Sequence, residues 1–418
     1  MEVIVMTKKS NVIMKLANDL GYGRVKGSIN GKELNLTSVL ARVPANQAPK
    51  PDTFRNADEK DAYMNDLVNH LYFSVNSKSI NTDGKFFLGE RAQHSNSNKW
   101  LFDVNDYSSK AENDMGLILT LGIIAAEKIK EVYNEDESLD DILEVEVQMT
   151  TALPIMEANR NGVVEAYRER FISNQHLVTV HNFPHDITVK VKFKDVFVGY
   201  EGELAQFCIA NASDDIKSAI MTEWKDAGYG DIYPDVTVDE ILGLRTTMGV
   251  DIGAGTTDTV IFQDGKMLIK YSTSLKMGYG SVQDAALKQL IQEGNAVGRS
   301  RVDLEEFLNT PAGFTTRALH KHVEDIVLDN NELLANEIVD SISDVLGGAT
   351  RDGIAVEIVY VYGGGSIPMK QRGELREKIA DKLKSFQTVK AEVPVLFISD
   401  EIAPYLNLAG LQVVLDNM

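Results

Sequence analysis

The chain has 418 residues, 44% hydrophobic and 25% charged, which is ordinary for a globular protein with room for two domains. Its formal net charge of −20 argues against broad binding of a nucleic-acid backbone, so any contact with DNA would need a local basic patch or a partner protein. The single cysteine, Cys208, excludes an intrachain disulfide, and the start of the chain lacks a signal peptide's apolar core, so we expect a cytoplasmic protein.

Strands and helices alternate along the first half of the chain. The apolar run 116–126 is too short to cross a bilayer and indicates a buried helix. Residues 43–100 look polar and irregular apart from an amphipathic segment at 59–73. The elements predicted here are a strand over 11–17, two strands around an Asn30-Gly31 turn, a helix over 111–133, a strand over 143–154 and a hairpin over 176–193.

The second half continues the same alternation. In chain order, the predicted elements are helices over 202–245, a hairpin over 250–272 with an Asp264-Gly265 turn, helices to about 348, a strand over 355–363, a helix near 370–385, a strand over 393–398 and a helix from about 402. Strands that alternate with helices in this way indicate an α/β fold in two halves.

One supersecondary unit occurs twice in the sequence. Residues 18–27 (NDLGYGRVKG) contain Asp-x-Gly-x-Gly-x-x-Lys, and residues 250–259 (VDIGAGTTDT) contain Asp-x-Gly-x-Gly-x-x-Asp. An apolar strand precedes each loop, and a strand with a glycine-containing turn follows it. A single loop of this kind is usually an ordinary tight hairpin, because glycine supplies a positive φ. Two matched copies, one in each half, favour a shared phosphate site.

Such loops can bind phosphate because glycine lets an anion approach the backbone N–H groups closely. Thr256 and Thr257 would add hydroxyl donors, and Lys26 would add a point charge. Asp19 and Asp251 would face each other, and a hydrated Mg²⁺ shared with the phosphates would relieve their repulsion. Asp258 is interpreted as a brace for its loop. The predicted phosphate-binding residues are Gly21, Tyr22, Gly23 and Lys26 in the first loop, and Gly253, Ala254, Gly255, Thr256 and Thr257 in the second.

A third glycine cluster follows the apolar strand in VYVYGGGSIPMK, residues 359–370. By itself it fits a strand-to-helix turn. Beside two phosphate loops, it suits close backbone approach to a nucleoside. We therefore add Gly363, Gly364, Gly365 and Ser366 to the predicted site.

These three loops and the C-terminal APYLNLAGL resemble the superfamily of actin, heat-shock-chaperone and sugar-kinase ATPases. The second loop and the segments 86–92, 150–154 and 190–207 resemble bacterial actin-like ATPases of the ParM type. The resemblance implies an α/β fold of two domains, each with a mixed five-stranded sheet flanked by helices, and a nucleotide in the interdomain cleft.

The same resemblance implies domain boundaries. Domain I would cover 1–205, with an inserted subdomain at about 30–100, and the helix 403–418 would pack back onto it. Domain II would cover 206–402, with a smaller subdomain at about 283–348. The stretch 211–245 is longer than in the ParM type, and its role stays open.

In function, the resemblance implies an ATP hydrolase that polymerises into filaments with ATP, or GTP, and Mg²⁺. Glu201 would orient the attacking water, with Glu203 as the alternative, and Asp251 would act through the metal. Such filaments would segregate plasmid DNA through an adaptor protein bound at the plasmid centromere, without direct contact with DNA or a membrane. The alternative is a small-molecule kinase for a sugar or acid on the same fold, although the sequence contains no motif for its general base or its substrate pocket.

Overall fold

The computed structural model describes residues 13–103, 109–135, 139, 141–295, 297–298, 300–371, 374–386 and 392–418. The strands are β1 (Met14–Leu20), β2 (Arg24–Ile29), β3 (Lys32–Thr37), β4 (Val39–Val43), β5 (Tyr72–Asn76), β6 (Lys85–Phe87), β7 (Asn98–Leu101), β8 (Ile142–Leu153), β9 (His176–Val180), β10 (Ile187–Tyr200), β11 (Thr246–Ile252), β12 (Thr257–Gln263), β13 (Lys266–Met267), β14 (Thr273–Leu275), β15 (Ile358–Tyr362) and β16 (Val395–Phe397). The helices are α1 (Ala57–Asn65), α2 (Leu67–His70), α3 (Gly89–Gln93), α4 (Asp114–Asn134), α5 (Ile155–Ala158), α6 (Val163–Ile172), α7 (Glu203–Ala210), α8 (Asp214–Asp226), α9 (Tyr229–Ile232), α10 (Val238–Leu242), α11 (Tyr279–Gln292), α12 (Arg301–Asn309), α13 (Arg317–Arg351), α14 (Ser366–Gln371), α15 (Leu375–Phe386) and α16 (Leu406–Asp416).

Two β-sheets contain the same five-stranded unit. The first has the order β3-β2-β1-β8-β10-β9-β5-β6-β4-β7, and the second has β13-β12-β11-β15-β16 with β14 against β12. In both, a three-stranded antiparallel meander is followed by two strands parallel to the first. The predicted α/β fold with a mixed five-stranded sheet in each half is therefore confirmed. Five further strands extend the first sheet.

The two predicted turns have the backbone that a tight hairpin requires. Asn30 and Gly31 have φ values of 49° and 80°, and Asp264 and Gly265 have 53° and 74°. Two successive left-handed residues match the right-handed twist of the flanking strands, which explains the Asn-Gly and Asp-Gly pairs. Both turns lie at the far ends of the hairpins from the glycine loops.

Residues 43–100 are more regular than the sequence predicted. They contain helices α1 to α3 and strands β5 to β7, which pair with one another, with β4 and with β9. These strands have only three to five residues each. Such short strands show no clear period, and their pairing depends on distant partners.

Two large apolar cores lie against the sheets. The first surrounds α4, whose residues 115–126 are almost entirely buried, as the apolar run predicted. The second surrounds the long helix α13 and the strands β11 and β15. Within the described residues, no helix combines the length and apolar character needed to span a membrane.

The stretch 211–245, whose role the sequence left open, covers part of the second sheet. Ile220 and Trp224 of α8 belong to the same core cluster as Tyr360 of β15. Beside them, the buried carboxylate of Glu223 pairs with Arg376 and accepts a hydrogen bond from the N–H of Phe397 at 3.0 Å. A buried charge needs such partners, so this network ties α8 to the edge of the sheet.

The C-terminal helix α16 packs against β1, β8 and α7. Its Gly410 permits a close crossing of α7, since a Cβ there would lie 2.5 Å from the carbonyl oxygen of Leu204. The helix therefore reaches the glycine loops from the side of the first sheet. The domain boundaries drawn from the sequence stay predictions.

Candidate functional site

The glycine loops converge on one cleft with a volume of about 490 Å³. All of the predicted site residues line it except Thr257 and Ser366. The lining residues are Asp19, Gly21, Tyr22, Gly23, Lys26, Glu201, Asp251, Gly253, Ala254, Gly255, Thr256, Gly363, Gly364 and Gly365. The structure thus brings together segments that are up to 346 positions apart, from the first loop to the third.

The first two loops meet at their tips. In the first, the N–H of Gly21 donates to the carbonyls of Asp19 and Arg24 at 3.1 and 3.0 Å, which closes the turn. A Cβ on Gly23 would lie 3.0 Å from the Cβ of Ala254 in the second loop. The glycine therefore allows the two hairpins to approach, and their backbones can face one ligand from both sides.

The second loop is held by the start of α11. The carbonyls of Gly253 and Ala254 accept hydrogen bonds from the N–H groups of Tyr279 and Gly280, at 2.9 and 2.8 Å. Among the described residues, no protein group accepts a hydrogen bond from the N–H of Ala254 or Gly255. These two donors remain available for an anion in the cleft.

Two residues of the predicted site, Thr257 and Ser366, do not line the cleft. The Thr257 hydroxyl donates to the carbonyl of Met277 at 2.8 Å, and the Ser366 hydroxyl donates to that of Gly363 at 2.8 Å. Both side chains are buried. Thr257 begins the strand β12, and Ser366 begins the helix α14. Both side chains point into the protein interior and stabilise their loops through hydrogen bonds to backbone carbonyls.

The third loop packs directly on Asp251. Gly363 has a φ of 88°, and a Cβ there would lie 2.3 Å from an oxygen of Asp251 and 2.5 Å from the carbonyl of Ile252. The N–H of Gly365 donates to that same carbonyl at 2.8 Å. Only glycine combines this left-handed backbone with such a close approach, so the loop and the second hairpin form one surface.

Asp251 is buried at the end of β11, where Asn407 donates to its Oδ2 at 2.6 Å. Burial, together with the charges of Asp258 and Asp19, raises the pKa of Asp251 to about 7. Among the described residues, no cation forms an ion pair with Asp251 itself, whereas Lys26 lies beside Asp19 and Lys110 beside Glu201. In the described residues, no three His, Cys, Asp or Glu side chains are arranged to hold a metal directly. This donor set fits a hydrated Mg²⁺, which keeps most of its waters.

Asp258 has the bracing role interpreted from the sequence. It accepts hydrogen bonds from the hydroxyl of Ser274, from the hydroxyl of Thr256 at 3.1 Å and from the N–H of Ile155 at 3.2 Å. Burial raises the pKa of Asp258 to about 6, and the three donors oppose that shift. The carboxylate joins the second hairpin to the start of α5.

Glu201 lines the cleft, whereas Glu203, the alternative, does not. Glu201 follows β10, and its N–H donates to the carbonyl of Leu153 at 2.9 Å. Its Oε1 lies 2.5 Å from the ammonium of Lys110, which is only 3% exposed. Burial raises the pKa of Glu201 and Lys110 opposes this shift.

Lys26 lines the cleft, but its ammonium already has protein partners. It donates to the carbonyl of Pro404 and lies 3.9 Å from Asp19 Oδ2. The side chain also lies over the ring of Tyr405, 5.7 Å from its centroid. Contact between Lys26 and a terminal phosphate stays a prediction; the ammonium has three N–H donors, of which one is used by the Pro404 carbonyl.

Several residues of the cleft were not found from the sequence. Lys110 and Asn407 contact the predicted acids, but neither belongs to a glycine motif. Helices α11 and α12 line another part of the cleft, with Tyr279, Gly280, Gln283, Arg301, Val302, Glu305, Glu306 and Asn309. Further lining comes from the first half of the chain and from the C-terminal segment, with Arg24, Asn35, Leu36, Thr37, Asn69, Gly89, Glu90, Gln93, Ala403 and Pro404. No sequence motif assigned these lining residues to the site. The family resemblance implied a nucleotide between two domains, but it did not identify which residues of the two domains would line the cleft.

Comparisons with known proteins agree with this architecture. Residues 249–375 match the family model described as archaeal actin homologue MreB-like, C-terminal. No curated protein sequence matches the chain. Similar solved structures are the actin-like protein Alp7A (TM-score 0.64, 17% identity, 97% of each chain), a non-polymerisable quadruple mutant of pCBH ParM (0.59, 15%, 97% of this chain and 100% of that one) and Bacillus thuringiensis ParM with ATP (0.53, 16%, 96% and 98%).

Proposed function

Because the chain has the actin-like ATPase fold, we propose that it binds ATP with Mg²⁺ in the cleft, hydrolyses it and assembles with copies of itself into filaments. One observation carries the proposal. Two copies of a glycine loop and a third glycine cluster line a single cleft that also contains Asp19, Asp251 and Glu201. Phosphate oxygens require close backbone donors, and a hydrated cation requires carboxylates, so the same cleft supplies both.

The proposed binding mode follows from the loop geometry. The backbones of the first two loops would hold the β- and γ-phosphates, and Gly363 to Gly365 would lie against the nucleoside. Asp19 and Asp251 would hold a hydrated Mg²⁺, which supplies positive charge beside the phosphates when it is bound. The solved structure of Bacillus thuringiensis ParM with ATP supports a nucleotide in this fold. The side chains do not decide between ATP and GTP.

For hydrolysis, the chain supplies an acid that can orient water. Glu201 lines the cleft, and its carboxylate would accept a hydrogen bond from the attacking water. Phosphoryl transfer needs mainly positioning and charge stabilisation, so covalent chemistry by the protein is unnecessary. Asp251 would act through the metal ion, and Asp258 would keep the second loop in place.

We further propose that the filaments segregate plasmid DNA through a DNA-bound adaptor. One structural neighbour is a non-polymerisable mutant of a ParM protein, which supports polymerisation as the property to test first. The net charge of −20 disfavours direct contact with the DNA backbone, so an adaptor would supply it. The kinase alternative is not favoured, because the matching family model and the similar solved structures are of actin-like proteins.

The test combines light scattering with phosphate release after addition of ATP and Mg²⁺ to the full chain. We expect scattering to rise without any added substrate, and to stay flat with ADP or without Mg²⁺. Electron microscopy would identify the scattering particles as filaments. Transfer of the γ-phosphate to a sugar or acid, with no assembly, would contradict the proposal and restore the kinase alternative.

A further inference from the structure

A buried lysine stands directly behind the proposed water-orienting acid. The Nζ of Lys110 lies 2.5 Å from Oε1 of Glu201 and 5.7 Å from the ring centroid of Tyr22. Glu201 and Tyr22 line the cleft, whereas Lys110 does not. The ammonium therefore reaches the nucleotide site only through these two side chains.

The backbone around Lys110 is held on both sides. Its own N–H and that of Ala111 donate to the two carboxylate oxygens of Glu157, at 3.1 and 3.3 Å. The carbonyl of Ala111 accepts a hydrogen bond from Arg170 at 2.7 Å. These bonds fix where the lysine side chain starts, so its ammonium has little freedom to leave Glu201.

The same segment is joined to the second hairpin. Glu157 lies on the short helix α5, whose first residue, Ile155, donates its N–H to Asp258 at 3.2 Å. A movement of the second loop would displace Asp258, then α5, to which Asp258 is hydrogen-bonded, and then the backbone of Lys110 and Ala111, which is bonded to Glu157 of α5. The position of the ammonium is therefore defined relative to both halves of the chain.

The charges around Glu201 make this cation important. Asp258 and Asp19 face Glu201 with negative charge, and Tyr22 and Tyr167 face Lys110 with ionisable hydroxyls. Burial and the two aspartates raise the pKa of Glu201, and Lys110 opposes them. An unpaired buried carboxylate in this place would take up a proton, because desolvation disfavours its charged form.

We propose that Lys110 is a positioning residue for hydrolysis, which holds the Glu201 carboxylate directed into the cleft and favours its ionised form. A protonated Glu201 could not take up a proton from the attacking water, and a rotated one would not face it. This inference rests on the proposed function, and it predicts a defect in turnover that is separate from nucleotide binding.

The experiment compares Lys110→Met, Lys110→Arg, Glu201→Gln and the double variant Lys110→Met/Glu201→Gln. For each full-length protein, phosphate release at saturating ATP and Mg²⁺ and the dissociation constant of a fluorescent ATP analogue would be measured. Lys128→Met is the matched control, since Lys128 forms an i,i+3 pair on the surface of α4. The double variant carries no unpaired charge at this position and keeps the test informative if Lys110→Met unfolds.

We expect Lys110→Met to lose about 10²-fold in turnover, as for loss of an acid–base group, with ATP affinity within threefold of wild type. Lys110→Arg should recover most of the rate. In the Glu201→Gln background, Lys110→Met should lower turnover little further, because both substitutions act through the side chain at position 201. Wild-type turnover in Lys110→Met, or an equal loss in both backgrounds, would overturn the proposal.

A second measurement does not depend on hydrolysis. The infrared band of the Glu201 carboxylate, identified by its loss in Glu201→Gln, would be followed against pH in wild type and Lys110→Met. The proposal expects protonation of Glu201 at a higher pH in Lys110→Met, and an unchanged midpoint would contradict it. If the wild-type chain releases no phosphate, the proposed function fails, while this result still decides the role of the pair.

Discussion

Asn407 joins Asp251 to the turn that follows Glu201. Its Nδ2 donates to Asp251 Oδ2 at 2.6 Å, and its Oδ1 accepts a hydrogen bond from the N–H of Gly202 at 3.1 Å. One side chain on α16 therefore connects the proposed metal acid with the proposed water-orienting acid. The amide serves as donor and acceptor at once, which no carboxylate or apolar residue of similar size could do.

This relationship predicts that Asn407→Ala will weaken both halves of the site. Asp251 would lose a donor that lowers its pKa, and Gly202 would lose its acceptor. We expect turnover to fall about tenfold or more, since a lost hydrogen bond to a charged group corresponds to roughly 1.5–3 kcal/mol. Phosphate release would measure this. Asn417→Ala, on the exposed end of the same helix, should behave as wild type, and equal rates for both variants would contradict the prediction.

Asp251→Ala should abolish Mg²⁺-dependent turnover. The carboxylate is the buried acid that both the second and the third loop surround, so its loss removes the proposed anchor of the hydrated metal. The measurement is phosphate release over a Mg²⁺ titration. Asp264→Asn is the control, since this residue lies exposed at the other end of the same hairpin. Full Mg²⁺-dependent turnover in Asp251→Ala would exclude the loop as the metal site.

Glu201→Ala should separate assembly from hydrolysis. In the proposed mechanism Glu201 would act on the water and not on the bound nucleotide, so ATP affinity should stay near that of wild type while the rate falls about 10²–10⁴-fold. Filaments of the variant should form and then persist, because hydrolysis would no longer weaken them. Paired phosphate release and light scattering over time would show this.

The control for that experiment is Glu203→Gln, which changes an acid that does not line the cleft. It should release phosphate at the wild-type rate. If Glu201→Ala hydrolyses ATP normally and Glu203→Gln does not, the assignment of the two acids is reversed.

The nucleotide-free protein should lose stability as the pH rises through neutrality. The pKa of Asp251 is raised to about 7 in the folded chain, compared with about 3.9 in an unfolded one. The folded state therefore holds a proton that the unfolded state releases, and this contribution is complete below about pH 4 and disappears as the pH passes 7. The slope from this one group is at most about 1.4 kcal/mol per pH unit.

Thermal unfolding between pH 5 and pH 8 would measure the effect without Mg²⁺ or nucleotide. Asp251→Asn removes the titrating group, so its melting temperature should fall less over this range than that of wild type. Asp258 and Glu201 titrate in both proteins, so the difference between the two curves reports Asp251 together with its interaction with Asp258. Parallel curves for the two proteins would contradict the shifted pKa.

Gly363→Ala should damage the site much more than Gly364→Ala. Gly363 has a left-handed backbone, which costs an L-residue roughly 1–2 kcal/mol, and its new Cβ would collide with Asp251 and Ile252. A Cβ on Gly364 would meet nothing within 4 Å. We expect a lower melting temperature, measured without nucleotide, for Gly363→Ala alone, because only this variant collides with protein atoms. Equal behaviour of the two variants would show that the third loop is not packed as described.

Residues 43–100 show where sequence interpretation reached its limit in the fold. The predicted long elements, such as α4 and β8, have enough residues for an apolar period to appear. The strands β5 to β7 do not, and they exist because β9 and β4 offer them partners. A short strand obtains its hydrogen bonds from distant segments, so its own residues do not reveal it.

The sequence by itself determined the parts of the site that depend on local backbone. Glycine is needed wherever the chain turns tightly or one backbone approaches another closely, so such places can be found from the sequence alone. These places are the two glycine loops, the third cluster at 363–365 and the Asn-Gly and Asp-Gly turns. The family resemblance that these loops carry implied a five-stranded sheet in each half.

Only the tertiary structure decided which side chains serve the acids. Lys110 meets Glu201 across 91 positions, and Asn407 meets Asp251 across 156, with no shared motif in either case. The Thr257 hydroxyl, predicted to face a ligand, bonds to the carbonyl of Met277 instead. Buried polar groups must find partners wherever the assembled elements bring them, and that geometry is a property of the packed sheets and helices together.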